Sequence, residues 1–221
     1  MNIENNIRKI TENLPAGCRL VAVSKTQPEE RILEAYRAGQ RIFGENKVQE
    51  LSEKYAALPK DIEWHMIGHL QRNKVKYIAA FVGMIHSVDS QRLLEEINKQ
   101  GSRISRVIPC LLQVHIAEEE TKFGFDSREI GELLRSEHLL AMHHIEIRGL
   151  MGMATFTDNE DKVRAEFRNL KRIFEELKTL PPTHNVRLNE LSMGMSSDYH
   201  IALEEGSTLI RVGSAIFGER I

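Results

Sequence analysis

Eight short apolar segments alternate with amphipathic helical segments along almost the whole chain, and this alternation restricts the possible folds more than any other feature. The segments with strand character cover residues 20–23, 41–44, 63–68, 84–88, 107–114, 145–151, 187–192 and 208–213. Helices are predicted between them, over residues 29–38, 48–58, 73–81, 92–99, 127–140, 160–178 and 198–205. Strands that alternate with helices in this way form parallel sheets with helical crossovers.

Two architectures satisfy the alternation. An open, doubly wound sheet needs a glycine-rich turn after the first strand, and Ser24-Lys25-Thr26 is not such a turn. Eight units in 221 residues fall at the lower end of the (β/α)₈ barrel range. We therefore predict an α/β fold, a TIM barrel formed by residues 1–221 as a single domain. Because only eight residues follow Gly213, we expect an amphipathic helix over residues 2–13 to cover the place of a full eighth helix.

Composition limits the functional classes. The chain is 41% hydrophobic and 28% charged, which is ordinary for a soluble protein. A formal charge of −2 gives no reason to expect nucleic acid or an anionic membrane as partner. Neither a signal sequence nor an apolar run of about 18 residues is present, so we expect a cytoplasmic protein. The two cysteines have no metal-site spacing, and the pair His65 and His69 lacks further coordination partners, so we predict no metal.

Lys25 follows directly after the first predicted strand. The run Leu20-Val21-Ala22-Val23 is typical of a strand buried on both faces. Lys25 therefore points into the crevice that the carboxyl end of this strand faces. Desolvation disfavours the ammonium form of a lysine and leaves an amine that can attack a carbonyl. The alternative is a lysine whose charged end simply extends into solvent.

Two loops near the end of the sequence have the composition of a phosphate site. In barrels, functional residues lie at the carboxyl ends of the strands, and phosphate often binds after strands 7 and 8. Here those loops, residues 192–198 and 211–218, are rich in Gly and Ser, which allow backbone N–H groups to approach an anion. Because the first and last strands of a closed barrel are neighbours, we expect Lys25 to lie beside Arg211 and these loops. An amine beside a phosphate site suits pyridoxal 5′-phosphate (PLP), and equally an aldolase that forms a Schiff base with a sugar phosphate.

At these residues the sequence resembles a known family. The segments VAVSKT (21–26), FGENKVQE (43–50), EWHMIGHLQRNK (63–74), KFGF (122–125), GLMGM (149–153), LSMGMSSDY (191–199) and RVGSAIFGER (211–220) occur in the order found in the YggS/PROSC-type pyridoxal-phosphate homeostasis proteins. That family is related to the barrel domain of alanine racemase. The resemblance implies a fold-type III PLP-binding barrel without the C-terminal β domain of the alanine racemases.

The resemblance also implies roles for individual residues. Lys25 matches the lysine that forms the Schiff base with the cofactor, and Arg211 matches an arginine that faces the pyridine nitrogen. Lys122 lies in a family-like segment and is a candidate auxiliary acceptor. No catalytic residue is predicted. The cofactor-binding set implied by the match is Lys25, Asn46, Ser192, Met193, Ser196, Arg211, Gly213 and Ser214.

The function that follows is cofactor homeostasis: sequestration of PLP and its delivery to PLP-dependent apo-enzymes. Arginine is a permanent donor, so the ring nitrogen that it faces stays an unprotonated acceptor and a poor electron sink. Racemisation also needs a second acid/base on the far face of the cofactor. With so few residues after the eighth strand, we expect no further domain to cover the site, and we expect a monomer. The rival interpretation is a small PLP-dependent amino-acid racemase or decarboxylase.

Overall fold

The computed structural model describes residues 2–117 and 124–218, and these form a closed barrel of eight parallel strands in sequential order. The TIM barrel predicted from the alternation of strands and helices is therefore confirmed. The barrel closes where the first strand pairs with the last, with Val21 opposite Arg211. The strands are β1 Arg19–Val23, β2 Ile42–Glu45, β3 Glu63–Met66, β4 Met84–Val88, β5 Ile108–Val114, β6 Ile145–Gly152, β7 Val186–Ser192 and β8 Leu209–Val212.

Helices surround the barrel and connect the strands. They are α1 Ile3–Thr11, α2 Glu29–Arg37, α3 Val48–Ala57, α4 Val75–Ile78, α5 Gln91–Arg103, α6 Ser127–Leu134, α7 Glu137–Leu140, α8 Glu160–Lys178, α9 Tyr199–Glu204 and α10 Ser214–Phe217. A short 3₁₀ turn, Arg72–Lys74, precedes α4. No helix in residues 2–117 and 124–218 is both long enough and apolar enough to cross a membrane.

Two predicted helices differ from expectation. The single helix predicted over residues 127–140 is broken, because the Ser136 side chain accepts a hydrogen bond from the Leu139 N–H and starts a second helix, α7. The Asp126 carboxylate and Glu129 form a capping box at the start of α6. The helix predicted over residues 73–81 is reduced to the 3₁₀ turn and the four residues of α4.

The leading helix α1 packs on the barrel wall where the chain ends, as expected from the short segment after β8. It buries Ile3, Ile7 and Ile10. The Asn6 side-chain amide donates to the Ile216 carbonyl in α10 at 3.0 Å. Since α10 has only four residues, α1 adds to the helical layer here by packing against both α10 and α2.

Side chains of the strands alternate between the core under the helices and the barrel interior. Leu20 and Ala22 belong to the large cluster that includes the helix side chains, whereas Val21 belongs to a separate cluster. Successive residues of a strand point to opposite faces, so the second cluster lies inside the barrel. The same rule places Arg211, between Ile210 and Val212, in the interior.

Candidate functional site

A cavity of about 740 Å³ lies at the carboxyl ends of the strands. Six of the eight predicted site residues line it: Lys25, Asn46, Ser196, Arg211, Gly213 and Ser214. They come from the segments after β1, β2 and β7 and from β8 with the segment after it. The volume lies in the range of small-molecule sites. The fold thus brings together residues separated by up to 189 positions, from Lys25 to Ser214.

The other two predicted residues, Ser192 and Met193, do not line the cavity. Both are fully buried. Met193 packs in the core between barrel and helices. Ser192 precedes it on the opposite face, so it lies inside the barrel, where its hydroxyl contacts Arg211. Its contact with the site is therefore through Arg211.

The backbone on both sides of Lys25 is held by charged side chains of α3. The Lys54 amine donates to the Ser24 carbonyl at 2.7 Å, and the Glu50 carboxylate accepts from the Thr26 N–H at 2.6 Å. Lys54 and Glu50 also form an ion pair at 2.7 Å. Thr26 has φ of +64°, an unfavourable conformation for a β-branched residue that only surrounding contacts maintain. These contacts fix the direction in which Lys25 leaves the strand.

Glu45 completes this group at the barrel wall. It is fully buried, and its Oε1 accepts from the Ser24 hydroxyl at 2.6 Å and from the Lys54 amine at 2.8 Å. Burial raises the pKa of Glu45, and the charge of Lys54 opposes that rise. Its Oε2 has no hydrogen-bond partner within the described part of the chain.

Backbone N–H groups converge on one hydroxyl at the other side of the cavity. Ser196 Oγ accepts from the Gly213 N–H at 3.1 Å and from the Ala215 N–H at 3.5 Å. A Cβ atom at Gly213 would lie 3.2 Å from the Val23 carbonyl oxygen, so glycine allows this loop to approach β1 closely. The result is a set of donors directed at one point, which is the arrangement that an anion requires.

Arg211 forms the floor of the cavity. Its Nη1 donates to Ser192 Oγ at 2.6 Å and its Nη2 donates to the Gly152 carbonyl at 3.0 Å. Burial lowers the pKa of Arg211 to about 10, and the charge of Asp198 opposes that effect. The guanidinium therefore stays protonated at neutral pH. It offers only donors to whatever occupies the cavity.

Comparison with known proteins places the chain in a family. Residues 1–221 match the family described as alanine racemase, N-terminal domain. A pyridoxal phosphate homeostasis protein of Aquifex aeolicus is 39% identical, with 100% of this chain and 99% of that protein covered. The human protein of the same name is 40% identical, with 99% and 82% covered. This chain belongs to the pyridoxal phosphate homeostasis protein family.

Solved structures agree with that assignment. The structure of PipY from Synechococcus elongatus with PLP bound has a TM-score of 0.87 and 37% identity, covering 98% of this chain and 100% of that one. Alanine racemase from E. faecalis has a TM-score of 0.71 at 16% identity and shares the fold. This member of the homeostasis family covers 58% of that racemase chain.

Several residues that line the cavity were not predicted from the sequence. Gln113, at the end of β5, and Met153 and Phe156, after β6, contribute to the cavity wall. Their position at strand ends was the available signal, but no residue type among them indicates a particular chemistry. Lys122, the candidate auxiliary acceptor, lies outside the described residues.

His69, which follows β3, also borders the cavity. Its Nδ1 lies 3.0 Å from Asp89 Oδ2. Within residues 2–117 and 124–218, no three His, Cys, Asp or Glu side chains lie close enough together to hold a metal ion.

Proposed function

We propose that this protein binds PLP in the cavity between β1 and β8 and acts in PLP homeostasis, holding the cofactor and delivering it to PLP-dependent apo-enzymes. The observation that carries the proposal is the presence of Lys25, Arg211 and the donors around Ser196 in one cavity. The 37% identity with PipY, whose structure has PLP bound, supports it.

The groups in the cavity match the three functional parts of PLP. When bound, PLP supplies an aldehyde that bonds covalently to a primary amine and a pyridine ring that can accept electrons. Lys25 provides the amine. The N–H groups of Gly213 and Ala215, now directed at Ser196, provide donors for the phosphate. Arg211 provides N–H groups for the ring nitrogen, and we propose that Asn46 and Ser214 complete the contacts.

The same groups favour a carrier over an enzyme. Arg211 holds the ring nitrogen as an unprotonated acceptor, because a guanidinium with a pKa of about 10 does not give up a proton to pyridine at pH 7. The ionisable side chains that line the described cavity wall are Lys25, His69 and Arg211. Among these described residues, the candidate for a second acid/base in racemisation is His69, whose side chain is more than half exposed to water. Proton transfer in contact with bulk water loses the selectivity that racemases and decarboxylases need.

Absorbance titration with PLP tests the binding proposal. Wild type is expected to develop the absorbance of a covalently held cofactor, and borohydride reduction followed by peptide mapping is expected to place the added mass on Lys25. Lys25→Met removes the amine and should abolish the reduced adduct, whereas Lys47→Met, at the exposed position directly after Asn46, should retain it. An adduct spread over several lysines would contradict the assignment.

Two further assays separate carrier from enzyme. PLP-loaded protein should restore the activity of a PLP-dependent apo-enzyme faster than free PLP does. The free PLP is supplied at the concentration that spontaneous dissociation of the loaded protein produces. Incubation with single-enantiomer amino acids should show no racemisation or decarboxylation above the rate of free PLP. Turnover that His69→Gln abolishes would establish the rival function. We further propose a monomeric single-domain protein, which sedimentation of the loaded form tests.

A further inference from the structure

A line of polar side chains crosses the barrel interior below Arg211. Glu63 Oε1 lies 2.9 Å from His65 Nε2, and His65 Nδ1 lies 2.9 Å from His86 Nε2. His86 Nδ1 lies 3.0 Å from Ser192 Oγ, which accepts from Arg211 Nη1 at 2.6 Å. Interiors of TIM barrels are usually filled by branched apolar side chains. Four consecutive hydrogen bonds in that place require a reason.

These side chains connect the two ends of the barrel. Glu63 is the first residue of β3, at the amino ends of the strands, and its side chain is 42% exposed. His65, His86 and Ser192 have no exposed surface at all. Arg211 ends the line at the floor of the cavity. A polar group buried without a partner costs about 1–3 kcal/mol, so each side chain in the line depends on its neighbours.

The chemistry of the two end groups determines the direction of every hydrogen bond. Arg211 has donors only, so Ser192 Oγ accepts from it, and the Ser192 hydroxyl proton is then available to His86 Nδ1. With Nδ1 accepting, neutral His86 carries its proton on Nε2 and donates to His65 Nδ1. His65 in turn carries its proton on Nε2 and donates to the Glu63 carboxylate.

The protonation state of His86 agrees with this direction. Burial holds the pKa of His86 well below its usual value, and the charge of Arg211 acts in the same sense. His86 is therefore neutral at pH 7. A neutral imidazole has one donor and one acceptor, and both are used.

We propose that Ser192, His86 and His65 are positioning residues that act on Arg211, and that Glu63 fixes both histidines as Nε2–H tautomers. The Ser192 oxygen and the Gly152 carbonyl each take an N–H of the guanidinium. The remaining N–H groups are thereby directed at the cavity. The functional part rests on the proposed PLP site, where Arg211 faces the ring nitrogen, whereas the tautomers are a property of the protein without cofactor.

Nitrogen-15 NMR of the histidine rings in the cofactor-free protein tests the tautomers. Signals of His65 and His86 are assigned by comparison with His65→Gln and His86→Gln. At pH 7 both rings should show an unprotonated Nδ1 and a protonated Nε2. An Nδ1–H tautomer or an imidazolium at His86 would overturn the direction of the line. This outcome does not depend on whether the protein binds PLP.

Substitutions at His86 test the effect on Arg211. The Asn side chain can place an oxygen near the position of Nδ1 and keep the bond from Ser192, whereas Gln can place its amide nitrogen near Nε2 and keep only the bond to His65. His86→Leu keeps neither. PLP binding should weaken about tenfold or more in His86→Leu and His86→Gln, as expected for loss of a hydrogen bond that supports a charged group, and about threefold or less in His86→Asn.

The order of these variants distinguishes positioning from packing. If His86 only fills space, the variants with the larger side chains, His86→Leu and His86→Gln, should bind PLP as tightly as wild type, or at least more tightly than His86→Asn. Either result would overturn the proposal. Near-ultraviolet circular dichroism establishes that each variant is folded. His138→Leu, at an exposed position paired with Glu95, serves as the control and should bind like wild type. Failure of wild type to bind PLP would refute the proposed function and leave the tautomer result standing.

Discussion

Replacement of Lys54 by methionine should destabilise the protein and loosen the segment that carries Lys25. The side chains are similar in length, but Met removes three donated hydrogen bonds, to the Ser24 carbonyl, Glu45 and Glu50. Glu45, fully buried, is left with the Ser24 hydroxyl as its only donor in the described part of the chain. Removing one partner of a buried ion pair costs about 3–5 kcal/mol, and we expect a loss of free energy of unfolding in that range for Lys54→Met.

Urea denaturation of the cofactor-free protein, followed by circular dichroism, measures this loss. The double variant Glu45→Leu/Lys54→Met removes both charges and should be more stable than Lys54→Met alone, because no unpaired carboxylate remains in the wall. Lys99→Met breaks an exposed pair with Glu96 and should change the free energy of unfolding by less than about 1 kcal/mol.

The deficit of Lys54→Met should also depend on pH. The folded-state pKa of Glu45 is raised by burial already in wild type, and loss of the Lys54 charge raises it further. A carboxyl whose folded pKa lies above its unfolded value destabilises the fold when it is ionised, so the deficit should be largest above the folded pKa and shrink as pH falls. A loss below about 1 kcal/mol, or a deficit independent of pH between 5 and 8, would refute the account of Glu45 and Lys54.

Three other experiments, two with substitutions and one with a thiol reagent, have defined outcomes. Gly213→Ala places a methyl group 3.2 Å from the Val23 carbonyl oxygen, and about 1 kcal/mol of overpacking should weaken PLP binding about fivefold in absorbance titrations. Binding of pyridoxal, which lacks the phosphate, should not change. An equal loss of affinity for both ligands would contradict the phosphate assignment. The hydrogen bond with Arg168 lowers the pKa of Glu205 in the folded protein. Glu205 therefore stabilises the fold above its unfolded pKa, and this contribution is lost as pH falls through the folded pKa. In urea titrations Glu205→Gln should be less stable than wild type at pH 7 and equally stable at pH 2. Burial raises the pKa of the Cys18 thiol to about 11, so iodoacetamide at pH 8 should alkylate it only after unfolding, and rapid labelling of folded protein would show that the thiol is accessible and ionised.

The barrel could be predicted because its pattern repeats. Seven of the eight predicted units pair an apolar run with a helical segment, so an error in one unit leaves the others intact. The break at Ser136 was missed because the helical periodicity continues across it, from Ile130 to Leu139. A serine inside a helical pattern starts a new helix only when its hydroxyl captures the N–H three residues later, and sequence spacing does not determine that.

The lining of the cavity was predictable where a polar or small residue type coincides with the end of a strand. Lys25, Arg211 and Gly213 were identified because they are polar or small residues at the ends of buried strands. Lys54 was missed, since an isolated lysine on a helix is normally exposed. In retrospect it occupies the buried face of α3 between Leu51 and Leu58, both buried, which is the signal that a charged partner lies in the wall below.

Alternation along strands explains the remaining difference within the site. Ser192 and Met193 both lie at the carboxyl end of β7, where a ligand-binding role is expected. Consecutive residues of a strand point to opposite faces, so only one of the two can face the barrel interior. Sequence alone does not say which, and the structure places Ser192 inside and Met193 under the helices.

The cavity straddles the seam at which the barrel closes. Lys25 follows the first strand, whereas Arg211 and Gly213 belong to the last strand and its loop, and the two strands meet only in the finished barrel. A polypeptide still emerging from the ribosome therefore has the amine long before it has the loops that we propose bind the phosphate. Binding of PLP through both groups would therefore require that the last strand has been synthesised and that the barrel has closed.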